Sequence, residues 1–138
     1  DMFITVMNTE LDLNSSIFTY SSAGHSPLVV YRKESDSVEL HGTKGVAVGF
    51  IENYSYKESS FELKNGDIVL FYTDGIIECE NKRRELFGTQ RLLDVIYKNK
   101  NLSSKEINEK ILEAIEDFRK DYEQNDDITF VILKSVKK

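Results

Sequence analysis

Cysteine is nearly absent from this chain of 138 residues: Cys79 stands alone, so no intrachain disulfide can form. That fits a reducing, cytoplasmic setting. A nucleophilic Cys79 needs a base partner, and the two histidines, His25 and His41, are far from it in sequence; a structural thiol is the expectation. No apolar run approaches the roughly 20 residues that cross a bilayer. No charged, apolar and small-residue series marks a signal peptide at the N-terminus. Positive charge is in deficit, with a net charge of -6, which disfavours a nucleic-acid partner because phosphate binding needs a basic face. The one basic cluster, Lys82-Arg83-Arg84, reads as a solvated loop. Internal repeats and low-complexity segments are lacking too.

What is present is enough for one domain with a real core: 40% hydrophobic and 30% charged residues. Residues 2–8 are almost all apolar and β-prone, which predicts a strand buried on both faces. A turn over 11–16 leads to strands at 17–21, 28–31 and 38–40, with Ala23-Gly24-His25-Ser26-Pro27 as a tight connection and 32–37 as a charged turn. The spacing predicts an antiparallel meander. Gly42, Gly45 and Gly49 match neither dinucleotide nor P-loop spacing, so 42–56 is read as a connection. Strands follow at 60–63 and 68–73, joined by Lys64-Asn65-Gly66-Asp67, whose Asn-Gly pair predicts a hairpin.

Helices then dominate. Leu92, Leu93, Ile96 and Tyr97 mark a helix over 89–98. Ser103 and Glu106 form a candidate capping box, and Ile107, Ile111, Ala114, Ile115, Phe118 and Tyr122 mark one face of the next helix. Glu106–Lys110 and Glu116–Lys120 are i,i+4 pairs on its solvated side. A last strand over 128–133 runs into a basic tail that reads as a natural C-terminus. Opening in mid-strand at Asp1 reads as the loss of an N-terminal part. Strands, then two helices, then a strand suggest an α+β fold with helices packed on a sheet or sandwich.

Two strongly apolar strands carry aspartate at their mouths: Asp74-Gly75 follows 68–73, and Asn125-Asp126-Asp127 precedes 128–133. A carboxylate there is costly unless paired. Asp-Gly alone is a common turn, and two acids before a strand are often an exposed turn. Together they could share a hard divalent cation, which takes oxygen ligands held on rigid elements.

The same residues carry a resemblance. Ala23-Gly24-His25-Ser26-Pro27, Leu63-x-x-Gly66-Asp67-x-x-Leu70-x-Tyr72-Thr73-Asp74-Gly75-Ile76-x-Glu78, Phe87-Gly88-x-x-Arg91-Leu92 and Asp126-Asp127-Ile128-Thr129 occur in one order. The chain resembles, from about Phe3 to Leu133, the PPM-type (PP2C-like) serine/threonine phosphatase domain of the sporulation-stage-II-E and sigma-factor-regulator class. The resemblance implies an antiparallel β-sandwich flanked by helices in α-β-β-α layers, with residues 1–138 as one domain, the C-terminal portion of a phosphatase domain that lacks its N-terminal part. It implies two Mn²⁺ or Mg²⁺ ions, with Asp74 and Asp126 as metal ligands and Gly75 and Asp127 as supporting residues. The implied nucleophile is water activated by the cations, not a side chain, and no substrate-binding residue is assigned. The implied substrate is a phosphoserine or phosphothreonine protein, plausible as an anti-sigma-factor antagonist.

The family's first metal block, Gly-Asp followed shortly by another Asp, has no counterpart here, so the fragment is expected to have little or no activity. A non-catalytic, phosphatase-like binding or regulatory module is the alternative. His25 could act as a general acid, but a turn histidine bonded to nearby backbone is expected; Glu78 and Arg91 are expected to be structural polar contacts. Strand edges left unpaired at 2–8 invite association with a second copy.

Overall fold

The structure is a computed structural model that describes residues 2–120, 122–123 and 126–137; Asp1 and the Asn125 named above lie outside them. The described strands are β1 (Val6–Leu11), β2 (Ile17–Ala23), β3 (Leu28–Arg32), β4 (Ser37–His41), β5 (Ser59–Glu62), β6 (Ile68–Tyr72) and β7 (Phe130–Lys134). The helices are α1 (Asp74–Ile77), α2 (Gly88–Lys98) and α3 (Ser104–Arg119). One sheet has the order β1-β2-β5 and the other β4-β3-β6-β7, and the strand pairs of both are antiparallel.

Strands β3 and β6 are continuous apolar runs because both of their faces are covered. Alternate residues point to opposite faces. Leu28, Val30 and Val69 pack with Phe18, Tyr20 and Leu63 between the two sheets. Val29, Tyr31, Ile68, Leu70 and Tyr72 pack on the other side against Ile76 of α1, Leu92 and Ile96 of α2, and Ile107, Ile111 and Ile115 of α3. The α+β sandwich is therefore as expected, with its described helices gathered on the outer face of the four-stranded sheet. Cys79 is buried in this helical layer, and burial pushes its thiol up, away from the reactive thiolate.

The expected meander gives way to two hairpins in different sheets. β1–β2 and β3–β4 each pair locally, but β2 and β3 do not, so Gly24–Pro27 crosses between the sheets. The expected hairpin at Lys64–Asp67 is likewise a crossing: β5 pairs with β2, whereas β6 pairs with β3 and β7. Asn-Gly does supply the left-handed turn, with Gly66 at φ 89°, but a turn does not choose its partner strand. The carboxylate of Asp67, 1% exposed, accepts the N–H groups of Lys33 and Lys64, both at 2.9 Å, and lies 3.6 Å from the Arg32 guanidinium. It pins the crossing to the end of β3.

Residues 2–8 are not a doubly buried strand. The Asp12 carboxylate accepts the N–H groups of Asn14 and Ser15, and this turn sets the register from Val6↔Ala23 to Leu11↔Phe18. The strand therefore spans Val6–Leu11 at a sheet edge, with exposed and half-buried residues alternating, and Met2 to Val6 are exposed. Phe3 packs against Phe50, with ring centroids 4.9 Å apart.

The Ser103–Glu106 capping box forms as expected: Ser103 Oγ accepts the Glu106 N–H and the Glu106 carboxylate accepts the Ser103 N–H. These bonds hold the Glu106 carboxyl below its ordinary range; their contribution is full above the unfolded value and fades as pH falls through the lower folded one. Replacing Ser103 with alanine is expected to cost ~1 kcal/mol in denaturant unfolding; an unchanged midpoint would show that the cap is idle. The helix ends at Arg119, short of Tyr122, because Lys120 turns to φ 50°. Among the described residues its surface ion pairs are i,i+3, Lys110–Glu113 and Arg119–Glu116, instead of the expected i,i+4 pairs. The last strand is shifted to Phe130–Lys134 because Thr129 is held by Thr73 as the ladder opens.

Candidate functional site

Antiparallel pairing of β6 with β7 runs from Ile68↔Lys134 to Tyr72↔Phe130. It brings the end of one strand beside the beginning of the other, so the two aspartate blocks meet. The ladder continues through Thr73: its N–H donates to the Thr129 carbonyl at 3.0 Å, its hydroxyl donates to the same carbonyl at 3.3 Å, and that hydroxyl accepts the Thr129 N–H at 3.3 Å. The chain then turns into α1, a single turn beginning at Asp74 that the sequence reading took for a sharp Asp-Gly turn.

Gly75 is buried in that turn, and its role differs from the freedom to bend. A Cβ on it would lie 2.1 Å from the Asp127 carbonyl oxygen and 3.0 Å from that carbonyl carbon. Absence of a side chain lets the two blocks lie backbone to backbone. Gly75 and the Asp127 backbone thus lie in close contact.

All three aspartates are exposed. Asp74 Oδ1 accepts a hydrogen bond from the Ser26 hydroxyl. Ser26 comes from the Gly24–Pro27 crossing, so the connection between sheets also orients the carboxylate. Asp126 Oδ1 accepts the Asp127 N–H at 2.7 Å, which fixes the carboxylate to its own turn. Burial first, and the Asp74 charge second, push the Tyr72 phenol up. Ser26 was missed in the sequence; its place two residues after Gly24, at a crossing that ends beside β6, was the available signal.

His25 is a turn histidine as expected. Its Nδ1 is 3.0 Å from the Ser26 carbonyl, its N–H donates to Ser22 Oγ at 3.1 Å, and its carbonyl accepts from the same hydroxyl at 3.0 Å. It also lines a groove of about 330 Å³ with Thr5, Phe71, Thr73, Thr129 and Val131, directly beside the aspartate blocks. Arg91 is structural as expected, donating to the Leu86 and Phe87 carbonyls and lying 4.5 Å over the Phe118 ring. Glu78 is exposed, and its backbone N–H closes α1 on the Asp74 carbonyl at 2.9 Å.

Rigid, exposed carboxylates are a donor set that suits a hard divalent cation. They fall short of a complete shell: among the described residues no group of three or more His, Cys, Asp or Glu side chains is placed to hold a metal ion.

Comparison with known proteins agrees with this architecture. The SiaA-PP2C domain of Pseudomonas aeruginosa superposes with a TM-score of 0.80 at 20% identity, over 94% of this chain and 51% of that one. The phosphatase domain of the cell fate determinant SpoIIE from Bacillus subtilis gives 0.71 at 20% identity, over 97% and 57%. In sequence, the phosphoserine phosphatase RsbU of Bacillus subtilis is 29% identical over 135 residues, which are 96% of this chain and 39% of RsbU. The chain thus spans little more than half of these phosphatase-domain structures and well under half of that curated relative. The family described as stage II sporulation protein E matches residues 1–136; the chain belongs to the SpoIIE family, with its PP2C-like phosphatase domain.

Proposed function

We propose that this chain is the C-terminal portion of a metal-dependent protein serine/threonine phosphatase domain. The observation that carries the reading is the packing of Gly75 on the Asp127 carbonyl, which sets two aspartate blocks side by side at the ends of β6 and β7. Asp74 and Asp126 would hold Mn²⁺ or Mg²⁺, with Asp127 beside them. When bound, such cations acidify water and neutralise phosphoryl oxygens. The chain's own residues orient the ligands: the Ser26 hydroxyl fixes Asp74, the Thr73–Thr129 bonds fix both strand ends, and Gly75 sets the spacing between the blocks. The substrate class is a phosphoserine or phosphothreonine protein, with an anti-sigma-factor antagonist as the specific candidate. RsbU and RsbP of Bacillus subtilis, similar to this chain, bear the name phosphoserine phosphatase.

The incomplete donor set supports one other reading, a phosphatase-like module that binds without turnover. Hydrolysis separates the two. In the longest polypeptide that the coding sequence specifies, Mn²⁺-dependent release of phosphate from a phosphoserine protein is expected. Asp74→Asn is expected to lower it at least ~100-fold, the scale lost with one charge-stabilising group. The 138-residue chain by itself is expected to stay near background, because two or three carboxylates hold one cation weakly. Activity indifferent to Asp74→Asn overturns the metal assignment; no hydrolysis by the longer polypeptide favours the binding module.

A further inference from the structure

A second charged feature lies at the other end of the sandwich, where β6 begins and β7 ends. A cavity of about 250 Å³ there is lined by Lys33, Lys100, Lys134 and Lys137, with the backbone of Gly66 and Ser135 in its wall. No aspartate or glutamate is among its lining residues. Four lysines in one lining run against the balance of a chain whose net charge is -6. Asp74 lies roughly 20 Å away by the rise of the intervening strand, so this is a separate place.

The fold neutralises one of the four lysines and leaves the other three without a carboxylate partner among the described residues. Lys100 has a carboxylate partner, Asp36, and lies 3.8 Å over the Tyr97 ring. Lys134 is held by neutral acceptors, the Lys100 carbonyl at 2.8 Å and the Leu102 carbonyl at 2.6 Å. Among the described residues Lys33 and Lys137 have no ion pair. The nearby acids are committed elsewhere: Glu34 pairs with Lys64, and Asp67 with Arg32. Glu106 is the acid that acts on Lys134, and its effect is smaller than those of burial and of Lys33, which push the Lys134 ammonium down. Gly66 contributes by being bare: a Cβ there would meet Lys33 Cδ at 2.3 Å, so the Lys33 stem lies flat across the turn. Like charges gathered in a concave site raise the local concentration of counter-ions.

We propose that this cavity binds a small phosphate-bearing anion, either free phosphate or the diphosphate group of a nucleotide. The space of about 250 Å³ is smaller than a drug-sized pocket and suits a small anion. Lysine ammonium groups bind phosphate as point charges. The inference does not rest on the phosphatase reading, since it uses neither Asp74 nor Asp126.

The test is a nuclear magnetic resonance titration of the 138-residue chain with inorganic phosphate, pyrophosphate or ADP, at fixed ionic strength against chloride. Saturable shifts of the Gly66 and Ser135 amides are expected, with a dissociation constant below ~10 mM, or a binding free energy beyond about -2.7 kcal/mol. Lys33→Gln with Lys137→Gln removes two exposed lysines and is expected to weaken binding at least ~10-fold without lowering the melting temperature. Lys105→Gln with Lys110→Gln, on α3, is the control and is expected to leave binding unchanged. Equal affinity for pyrophosphate and ADP, both above phosphate, assigns the diphosphate group; tightest binding of phosphate assigns the free ion. Shifts that do not saturate, shifts centred on Thr73 and Thr129, or equal affinity in the Lys33/Lys137 variant overturn the proposal.

Discussion

Gly75→Ala is expected to lower stability by ~2 kcal/mol, although alanine is the better helix former. Gly75 lies inside α1 and not in the left-handed region, so backbone conformation raises no objection to a side chain. Helix propensity by itself would favour the substitution by up to ~1 kcal/mol. Sterics decide the sign. The added carbon would stand 2.1 Å from the Asp127 carbonyl oxygen, 3.0 Å from its carbon and 3.6 Å from the Ile128 nitrogen. These are backbone atoms, and they cannot swing aside as a lysine tip can. Moving them strains the Thr73–Thr129 bonds that close the β6–β7 ladder. Overpacking of this kind costs ~1–3 kcal/mol, sometimes more, which outweighs the propensity gain. Thermal unfolding is expected to shift down by roughly 8 °C for a chain of this length.

Gly88→Ala separates this mechanism from simple backbone strain. Gly88 has φ 76°, and a Cβ there meets nothing within 4 Å, so its cost is conformational, ~1 kcal/mol. Under the proposed metal assignment, Gly75→Ala is also expected to weaken Mn²⁺ binding, because the aspartate blocks move apart, whereas Gly88→Ala leaves it intact. A melting temperature for Gly75→Ala within 1 °C of the parent chain sinks the close-packing account.

The parts of the fold legible in the sequence are those with local causes. β6 reads as a buried strand because Ile68 to Tyr72 is covered on both faces by two different cores. The start of α3 is legible because Ser103 and Glu106 satisfy each other's N–H groups within three residues. Asp74 and Asp126 attract notice because one follows and the other precedes an apolar strand, and the ladder between those strands brings their blocks together. What escaped the reading depends on partners distant in sequence. Lys64–Asp67 has the chemistry of a hairpin turn, yet Leu63 N–H donates to the Ser16 carbonyl and Gly66 N–H to the Ser135 carbonyl, so its two ends serve different sheets. The apolar run at 2–8 looked doubly buried, yet its register is set by the Asp12 turn and its place at an edge by the sheet order. Ser26 carries no local mark of its bond to Asp74, which exists because a crossing connection ends beside β6.

Asp67→Ala is expected to be the most damaging single substitution considered, costing ~3–5 kcal/mol, the scale for removing one partner of a buried charged pair. Native stability is itself only about 5–15 kcal/mol, so partial unfolding at moderate temperature is the expected phenotype. The carboxylate is 1% exposed, accepts the Lys33 N–H at the end of β3 and the Lys64 N–H of the crossing, and pairs with the Arg32 guanidinium. Its loss leaves two part-buried N–H groups without this acceptor, each costing up to ~1–3 kcal/mol. Arg32 is left worse placed, because its Nη1 already has no partner among the described residues. Arg32 Nη2 donates to the Glu62 carbonyl at 3.0 Å and its guanidinium lies 4.8 Å over the Phe61 ring, so it cannot leave for solvent without giving up contacts to the other sheet. Asp67→Asn is expected to lose less, since its one carbonyl oxygen still serves one N–H, but its amide group confronts the other donor. Arg32→Leu in the Asp67→Ala background tests the mechanism. Removing the stranded charge should cost less there than in the parent chain, giving a coupling energy of at least ~1 kcal/mol in a double-mutant cycle of urea unfolding. Strict additivity of the two substitutions means that the ion pair contributes nothing and that Asp67 acts through its backbone hydrogen bonds alone.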